Sequence, residues 1–187
     1  NTKIINPIIM YDLEVNCINI DTPKDSDIIE RHCEDFLTGW VISAGLIKSD
    51  IHPHIEKITG ISNDMVQKSG DKDVEKFKLD ILDFMKYAYD PIFIAHNGNS
   101  FDHKILKHQK VLNSECRTLD SKIIIRMFSK TVDTNNLTLS LIYKSIMGFT
   151  PKNAHRAKTD VHMMIDIFNK LNITQKDIYC MLTNKAE

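Results

Sequence analysis

The chain has few of the features that would assign it to a special class. It has no internal repeat, linker or low-complexity tract, and only six glycines and five prolines among 187 residues. Its four cysteines, Cys17, Cys33, Cys116 and Cys180, are widely scattered without a Cys-x-x-Cys pair. That spacing fits free thiols in a reducing compartment better than a disulfide frame or a zinc knuckle. No apolar run approaches membrane-spanning length and no basic-then-apolar leader opens the chain, so an intracellular protein with no membrane partner is expected, its compartment left open. The first residue is Asn1, as in a domain cut from a longer chain. An excess of one charge is lacking too. Lys and Arg number 24 against 25 Asp and Glu, a net charge of −1, so no global basic field announces a nucleic-acid binder. A metal-dependent nuclease escapes that objection, because its ions neutralise phosphate locally.

With 42% apolar and 26% charged residues, the composition is that of a globular protein, and the length suits one domain over 1–187 with a real core. An apolar run from Ile4 to Asn16 reads as a buried strand. Asp21 to Asp27 reads as a loop, Ile28–Ile29 and Phe36–Ile47 as further strands broken near Thr38–Gly39. His52–Pro53 starts a helical turn that Thr59–Gly60 stops, and Ser62 caps another through Gln67. Asp71 to Tyr89 is the clearest helix, with Val74, Phe77, Ile81, Met85 and Ala88 at helical spacing. Pro91 ends it. Ile92–Ala95 then reads as a strand, His96–Asn99 as a turn, Ser100–His108 as a helix, Arg117–Leu119 as a strand, and the segment through Ile123 and Phe128 as a helix. Asn135 or Asn136 can cap a helix that Gly148 closes, a long helix follows from Ala154 to Leu171, and Thr174 with Asp177 forms a capping box for a last one. Strands first, then strand and helix in alternation, predict one mixed-sheet α/β domain.

The chemistry starts in the first strand. Ile8–Val15 is apolar at both parities, as in a strand covered on both faces, yet it carries Asp12 and Glu14. Residues two apart in a strand point the same way, so the two carboxylates project side by side. Ionised and close, they repel each other and resist desolvation, which a divalent cation between them would relieve. The alternative is that the strand ends at Tyr11 and the acids are solvated loop residues. Asp160 shares the face of Ala157, Val161, Met164, Ile165 and Phe168 on the last long helix, where an unpaired acid is costly. Asp102 opens a helix, where a capping role is the ordinary one.

Taken in order, these segments resemble the three motifs of the DEDDh family, the DnaQ-like 3′→5′ exonucleases on a ribonuclease-H-like fold. They are Asp12-Leu13-Glu14, His96-Asn97-Gly98-Asn99-Ser100-Phe101-Asp102, and His155-Arg156-Ala157-Lys158-Thr159-Asp160. Ile58-Thr59-Gly60-Ile61-Ser62 looks like the family's connecting turn. Position 156 is Arg, where a sister group has Tyr, so the histidine branch is favoured. Asp-Leu-Glu and Ala-His-Asn-Gly look most like the three-prime repair exonucleases, though their proline-rich insertion is absent. Val15-Asn16-Cys17 departs from the usual Thr-Thr-Gly continuation, and Lys158 stands where Leu is common.

The resemblance implies a ribonuclease-H-like α/β fold, a mixed sheet flanked by helices, over a single exonuclease domain. It implies that Asp12, Glu14, Asp102 and Asp160 hold two divalent ions, Mg²⁺ or Mn²⁺, with Asp12 the bridge. His155 would take a proton from the attacking water, its imidazole suiting neutral pH, although a histidine just ahead of a helix is ordinarily a surface residue. Leu13, Asn97 and Phe101 would border the terminal nucleotide, Phe101 by stacking or as plain core. His96, His103 and His108 are expected to be structural or solvent-facing, and Lys104, Lys107, Lys110 and Lys122 receive no role. The implied partner is the 3′ end of single-stranded DNA, from which nucleoside monophosphates are released. Rivals are the same chemistry on RNA, a proofreading domain cut from a polymerase assembly, and a catalytically idle nucleic-acid-binding or scaffold domain.

Overall fold

The computed structural model describes residues 3–16, 27–132 and 138–183. Along the chain they form β1 (Ile4–Ile5), β2 (Ile8–Val15), β3 (Ile28–Asp35), β4 (Val41–Leu46), α1 (Pro53–Thr59), α2 (Asn63–Ser69) and α3 (Glu75–Tyr87). β5 (Ala88–Tyr89), β6 (Ile92–Ala95), α4 (Asp102–His108), β7 (Arg117–Asp120), α5 (Ser121–Phe128), α6 (Leu139–Met147), α7 (Ala157–Lys170) and α8 (Gln175–Thr183) follow. The main sheet runs β4-β3-β2-β6-β7. β2 is antiparallel to β3 and parallel to β6, and β7 continues parallel, so the sheet is mixed.

The double parity of β2 has a direct structural cause. Ile8 and Met10 join the core built with α5, α6, α7 and α8. Ile9, Tyr11, Leu13 and Val15 join a second core under α3 and α4. Each apolar side chain that leaves water there contributes about 1.5–3 kcal/mol, so a strand covered on both faces must be apolar at both parities. β2 does not stop at Tyr11; it carries Asp12 and Glu14 as regular strand residues.

Several boundaries differ from the expectation. β3 does not end at Ile29. It runs through Glu30-Arg31-His32-Cys33-Glu34-Asp35, all buried. A charged sequence does not read as a buried strand, because apolarity is the usual marker of burial. Here paired charges replace it. The Arg31 guanidinium lies 2.7 Å from Asp71 Oδ2, donates to Ser43 Oγ and the Leu46 carbonyl, and sits over the Phe77 ring. Asp71 is therefore not helical: it answers Arg31 and bridges Ile47, and α3 starts four residues later. Ala88–Tyr89 leaves the helix to pair with β1. The α7 helix starts at Ala157 rather than Ala154, since Asn153 and His155 take left-handed backbone angles (φ 61° and 68°). Thr138 is the N-cap residue of α6. The predicted caps Asn135 and Asn136 fall outside the described residues, as does the predicted 21–27 loop up to its last residue. Gly148 closes α6 at φ 88°, and Thr174 and Asp177 exchange hydrogen bonds in a capping box, both as expected. No described helix is long and apolar enough to cross a membrane.

Removing Arg31 leaves Asp71 without its buried cation, leaves Asp80, 3.8 Å from the same guanidinium, with Lys76 as its ion-pair partner, and opens space beside Phe77. Breaking such a pair costs roughly 3–5 kcal/mol, and the partial exposure of Asp71 places Arg31→Ala near the low end. Chemical denaturation should show a loss of about 3 kcal/mol; a loss below about 1 kcal/mol would mean that water holds these acids in Arg31's place.

Candidate active site

Asp12 and Glu14 continue the face of β2 that begins with Ile8 and Met10, and α7 crosses that face. Its first turn brings Asp160 over them, and the carboxylate oxygens of Asp12, Glu14 and Asp160 lie within 4.8 Å of one another. Asp102, the first residue of α4, approaches from the β6 side, and its Oδ1 accepts the Leu13 N–H at 3.2 Å. All these acids line one cavity of about 650 Å³.

Burial pushes every one of these carboxyls up, and neighbouring acids, Glu30 in the case of Asp160, add to it. Glu14 rises to about 9, Asp102 to about 7 and Asp160 to about 6, desolvation leading in each case. Asp12 is also raised well above the carboxylate range, by burial first and then by Asp160, Glu14 and Asp102. Backbone N–H groups oppose the effect at Asp102 and Asp160. Asp12 Oδ2 is buried and meets no hydrogen-bond donor among the described residues. An orphaned carboxylate oxygen inside a crowd of like charges fits a cation, and an all-oxygen donor set selects a hard divalent one. Asp12, Glu14 and Asp160 could hold it, with Asp102 beside them.

The approach of α7 is fixed from β3. Glu30 accepts two hydrogen bonds from Arg156 Nε, at 3.1 Å, one from Arg156 Nη2 at 2.7 Å, and one from the Ala157 N–H at 2.9 Å. Its carboxylate thus satisfies an orphan N–H of the helix and favours the positive end of its dipole. Just before this anchor, His155 lies exposed on the cavity rim, and its N–H donates to Asp160 Oδ1 at 3.2 Å.

The 96–102 segment is held from β7. Asp120 accepts from the backbone N–H of Asn97 and Asn99 and, as the N-cap of α5, from that of Lys122. Asn97 turns the chain at φ 55°. Gly98 is required by close approach: a Cβ there would come within 2.5 Å of His103 Nε2. His103 donates from Nε2 to the Leu119 carbonyl at 2.8 Å, so its Nδ1 accepts from the buried Tyr11 hydroxyl.

Of the residues expected at the substrate, Asn97 is exposed on the cavity wall, and Phe101 lines it while packing on the α3–α4 core. The Leu13 side chain enters that same core, so the part of Leu13 nearest the acids is its backbone. His96 lines the cavity, bonded to Ser121 Oγ and lowered to about 4 by burial. His103 is buried, His108 exposed, and of the four lysines named above Lys122 borders the cavity. Sequence reasoning missed Glu30 and Asp120. Glu30 lies in a charged run that gave no strand signal, whereas Asp120, a helix-capping residue type just ahead of the apolar Ile123–Ile125 run of α5, did carry one.

The carboxyl shifts imply a pH dependence of stability. These groups have folded values above their unfolded ones, so the folded state binds more protons. Stability of the metal-free protein then falls as pH rises from about 4 toward the folded values of about 6, 7 and 9. Thermal unfolding in chelator should show a lower midpoint at pH 8 than at pH 5, with the gap narrowed by Asp12→Asn. A gap of the same size in the variant would mean that other groups set the slope.

The comparisons with known proteins agree with this geometry. The RNase T family, described as exonuclease, matches residues 46–168, a segment that includes Asp102, His155 and Asp160. An uncharacterized exonuclease of Acanthamoeba polyphaga mimivirus is 37% identical over 155 residues, covering 79% of this chain and 46% of that protein. Among solved structures, an exonuclease I superposes with a TM-score of 0.71 at 14% identity, over 96% of this chain and 43% of that one. The zinc-bound complex of E. coli exonuclease I with single-stranded DNA gives 0.69 at 15% identity over the same shares. The chain thus spans under half the length of these relatives, and its mixed sheet flanked by helices is the ribonuclease-H-like α/β fold. On the extent of the family match, this chain belongs to the RNase T family of DnaQ-like, DEDDh-type exonucleases.

Proposed function

We propose that the chain hydrolyses phosphodiester bonds at the 3′ end of single-stranded DNA, releasing nucleoside monophosphates with the help of two divalent ions, Mg²⁺ or Mn²⁺. The observation that carries this reading is the convergence of Asp12, Glu14 and Asp160 on one point, with an orphaned Asp12 oxygen and Asp102 at its side. Support for the substrate comes from the fold neighbour, E. coli exonuclease I, which has been solved with single-stranded DNA and with dA16 and dT13 oligonucleotides.

When bound, paired divalent ions supply an activated water and a charge stabiliser for in-line displacement. The chain's own residues do the rest. Asp12, Glu14, Asp102 and Asp160 hold the ions, and the β2 backbone and the first turns of α4 and α7 fix their directions. His155, on the rim and carried by the loop that Glu30 anchors, takes the proton of the attacking water on its imidazole. Asn97 and Phe101 border the terminal nucleotide, Asn97 with an exposed amide and Phe101 with an apolar face for the base or sugar. Chain-end hydrolysis needs no readout of base edges, in keeping with a cavity that presents acids and one aromatic wall.

The test offers matched DNA and RNA oligonucleotides labelled at the 5′ end. A ladder that shortens from the 3′ end of DNA, stops with EDTA and returns with Mg²⁺ or Mn²⁺ is expected. Faster loss of RNA would reassign the substrate. Full activity after exhaustive chelation would end the metal-dependent reading, and a folded protein with no activity on either polymer would favour an idle binding domain. Asp12→Asn and Asp160→Asn should cut turnover by orders of magnitude while leaving the fold intact.

A separate outcome is expected for the proposed base. His155→Ala should slow the chemical step by about 10²–10⁴-fold, the usual cost of losing general acid–base help. Metal affinity should barely change, because the imidazole donates no ligand. The wild-type rate should rise with pH through an inflection that the variant loses. An inflection that persists in His155→Ala and moves between Mg²⁺ and Mn²⁺ belongs to the bound water instead.

A further inference from the structure

A second group of potential ligands lies one strand away from the acids. His32 and Glu34, two residues apart on β3, point to the sheet face that α7 covers, and His162 comes down from α7 to meet them. Both His32 Nε2 and His162 Nε2 lie 2.9 Å from the same oxygen, Glu34 Oε2, and the ligand atoms of all three fall within 4.8 Å of one another. The two imidazole rings are nearly perpendicular, at 89°. We propose that His32, Glu34 and His162 form a cation site separate from the acid cluster, which takes a borderline divalent transition-metal ion such as Zn²⁺ and pins α7 to β3.

Three features favour this assignment over a plain hydrogen-bonded triad. The donor set is two imidazoles and one carboxylate, the kind that prefers zinc-like ions over the hard cations suited to Asp12, Glu14 and Asp160. Metal–ligand bonds near 2.0–2.1 Å put neighbouring tetrahedral ligand atoms roughly 3.4 Å apart, so the 2.9 Å separations need to widen by only a few tenths of an ångström. The side chain of His162 is 45% exposed while those of His32 and Glu34 are 4% and 12% exposed, which leaves one side open for a water as the fourth ligand. The thiol of Cys33, between them in sequence, points to the opposite face and packs in the other core, so it is no ligand. The exposed Lys158 ammonium acts on His32 and opposes a bound cation, but water screens it.

The location gives such an ion a consequence. Asp12 and His32 are register partners on β2 and β3, and His162 follows Asp160 by two residues on α7. A cation here would tie the helix that carries Asp160 to the strand beside Asp12, a structural clamp on the acid cluster that is not part of it.

The test must keep the two sites apart. Asp12→Asn/Asp160→Asn protein, with the acid cluster disabled, is titrated with Zn²⁺ by calorimetry and with Co²⁺ by visible absorption, and compared with the same protein carrying His162→Ala. One equivalent of Zn²⁺, a four-coordinate Co²⁺ spectrum and a raised melting temperature are expected in the first. In the second, affinity should fall by more than the roughly 10–100-fold that loss of an outer partner costs. Scattered thiols are common to both proteins and cancel. Glu34→Gln, nearly isosteric, repeats the comparison should His162→Ala fold poorly. Zn²⁺ binding that is absent from the double variant, or unchanged by His162→Ala and by Glu34→Gln, would overturn the site and leave a hydrogen-bonded triad only.

Discussion

The grip of Glu30 on the start of α7 is the interaction on which the rest of the site depends. Asp160 reaches Asp12 and Glu14 because its helix begins where Arg156 and the Ala157 N–H meet one carboxylate on β3. The same contact sets the departure of the loop that bears His155. A charge-assisted bond of this kind is stronger and more directional than a neutral one, and it is partly buried, so water screens it less than a surface pair. The cost of desolvating Glu30 is met by three donors, Arg156 Nε shared between both oxygens, Arg156 Nη2 and the Ala157 N–H, which is why a carboxylate can serve as an anchor inside a sheet.

That anchor is needed because the acids would otherwise drive the helix away. Asp12, Glu14, Asp102 and Asp160 are all pushed toward the protonated form, by burial first and then by neighbouring carboxylates, Glu30 among them. A loop carrying Asp160 could relax outward. A helix clamped at its first turn and packed through Val161, Met164 and Phe168 cannot. The apolar side of α7 thus holds the polar side in place.

Much of this was legible in the sequence, and the failures have a common cause. Double-parity apolarity identified β2, and helical spacing identified α3 and α7 to within a few residues. Asp12, Glu14 and Asp160 stood out because each interrupts an apolar face, and Asp102 through the motif that it ends. β3 was missed beyond Ile29 because its residues are charged and its burial comes from partners far along the chain: Arg31 with Asp71, Glu30 with Arg156, Glu34 with His162. Pairing across 40 to 128 positions leaves no local period to read. The start of α3 was misplaced for the same reason, since Asp71 answers Arg31 rather than its own helix.

The two halves of the site are held to different degrees, and this bears on the roles proposed for them. Asp12 and Glu14 ride a strand packed on both faces, and Asp102 is tied through the Leu13 N–H, so ligand directions are set by the sheet itself. His155 is exposed, in a left-handed backbone conformation, and touches the acids through its main-chain N–H rather than its ring. A group that holds a cation gains from rigidity, because each ligand displaced costs a bond. A group that moves a proton must follow the water and then release the charge to solvent, so a ring free at the cavity rim suits it better than a buried one. Beside the cavity, half-buried His96 and buried His103 are bonded into the framework and lowered below the usual imidazole range. Their bonds and burial suit them poorly to proton transfer, whereas the exposed ring of His155 at the cavity rim meets the need of the role proposed for it.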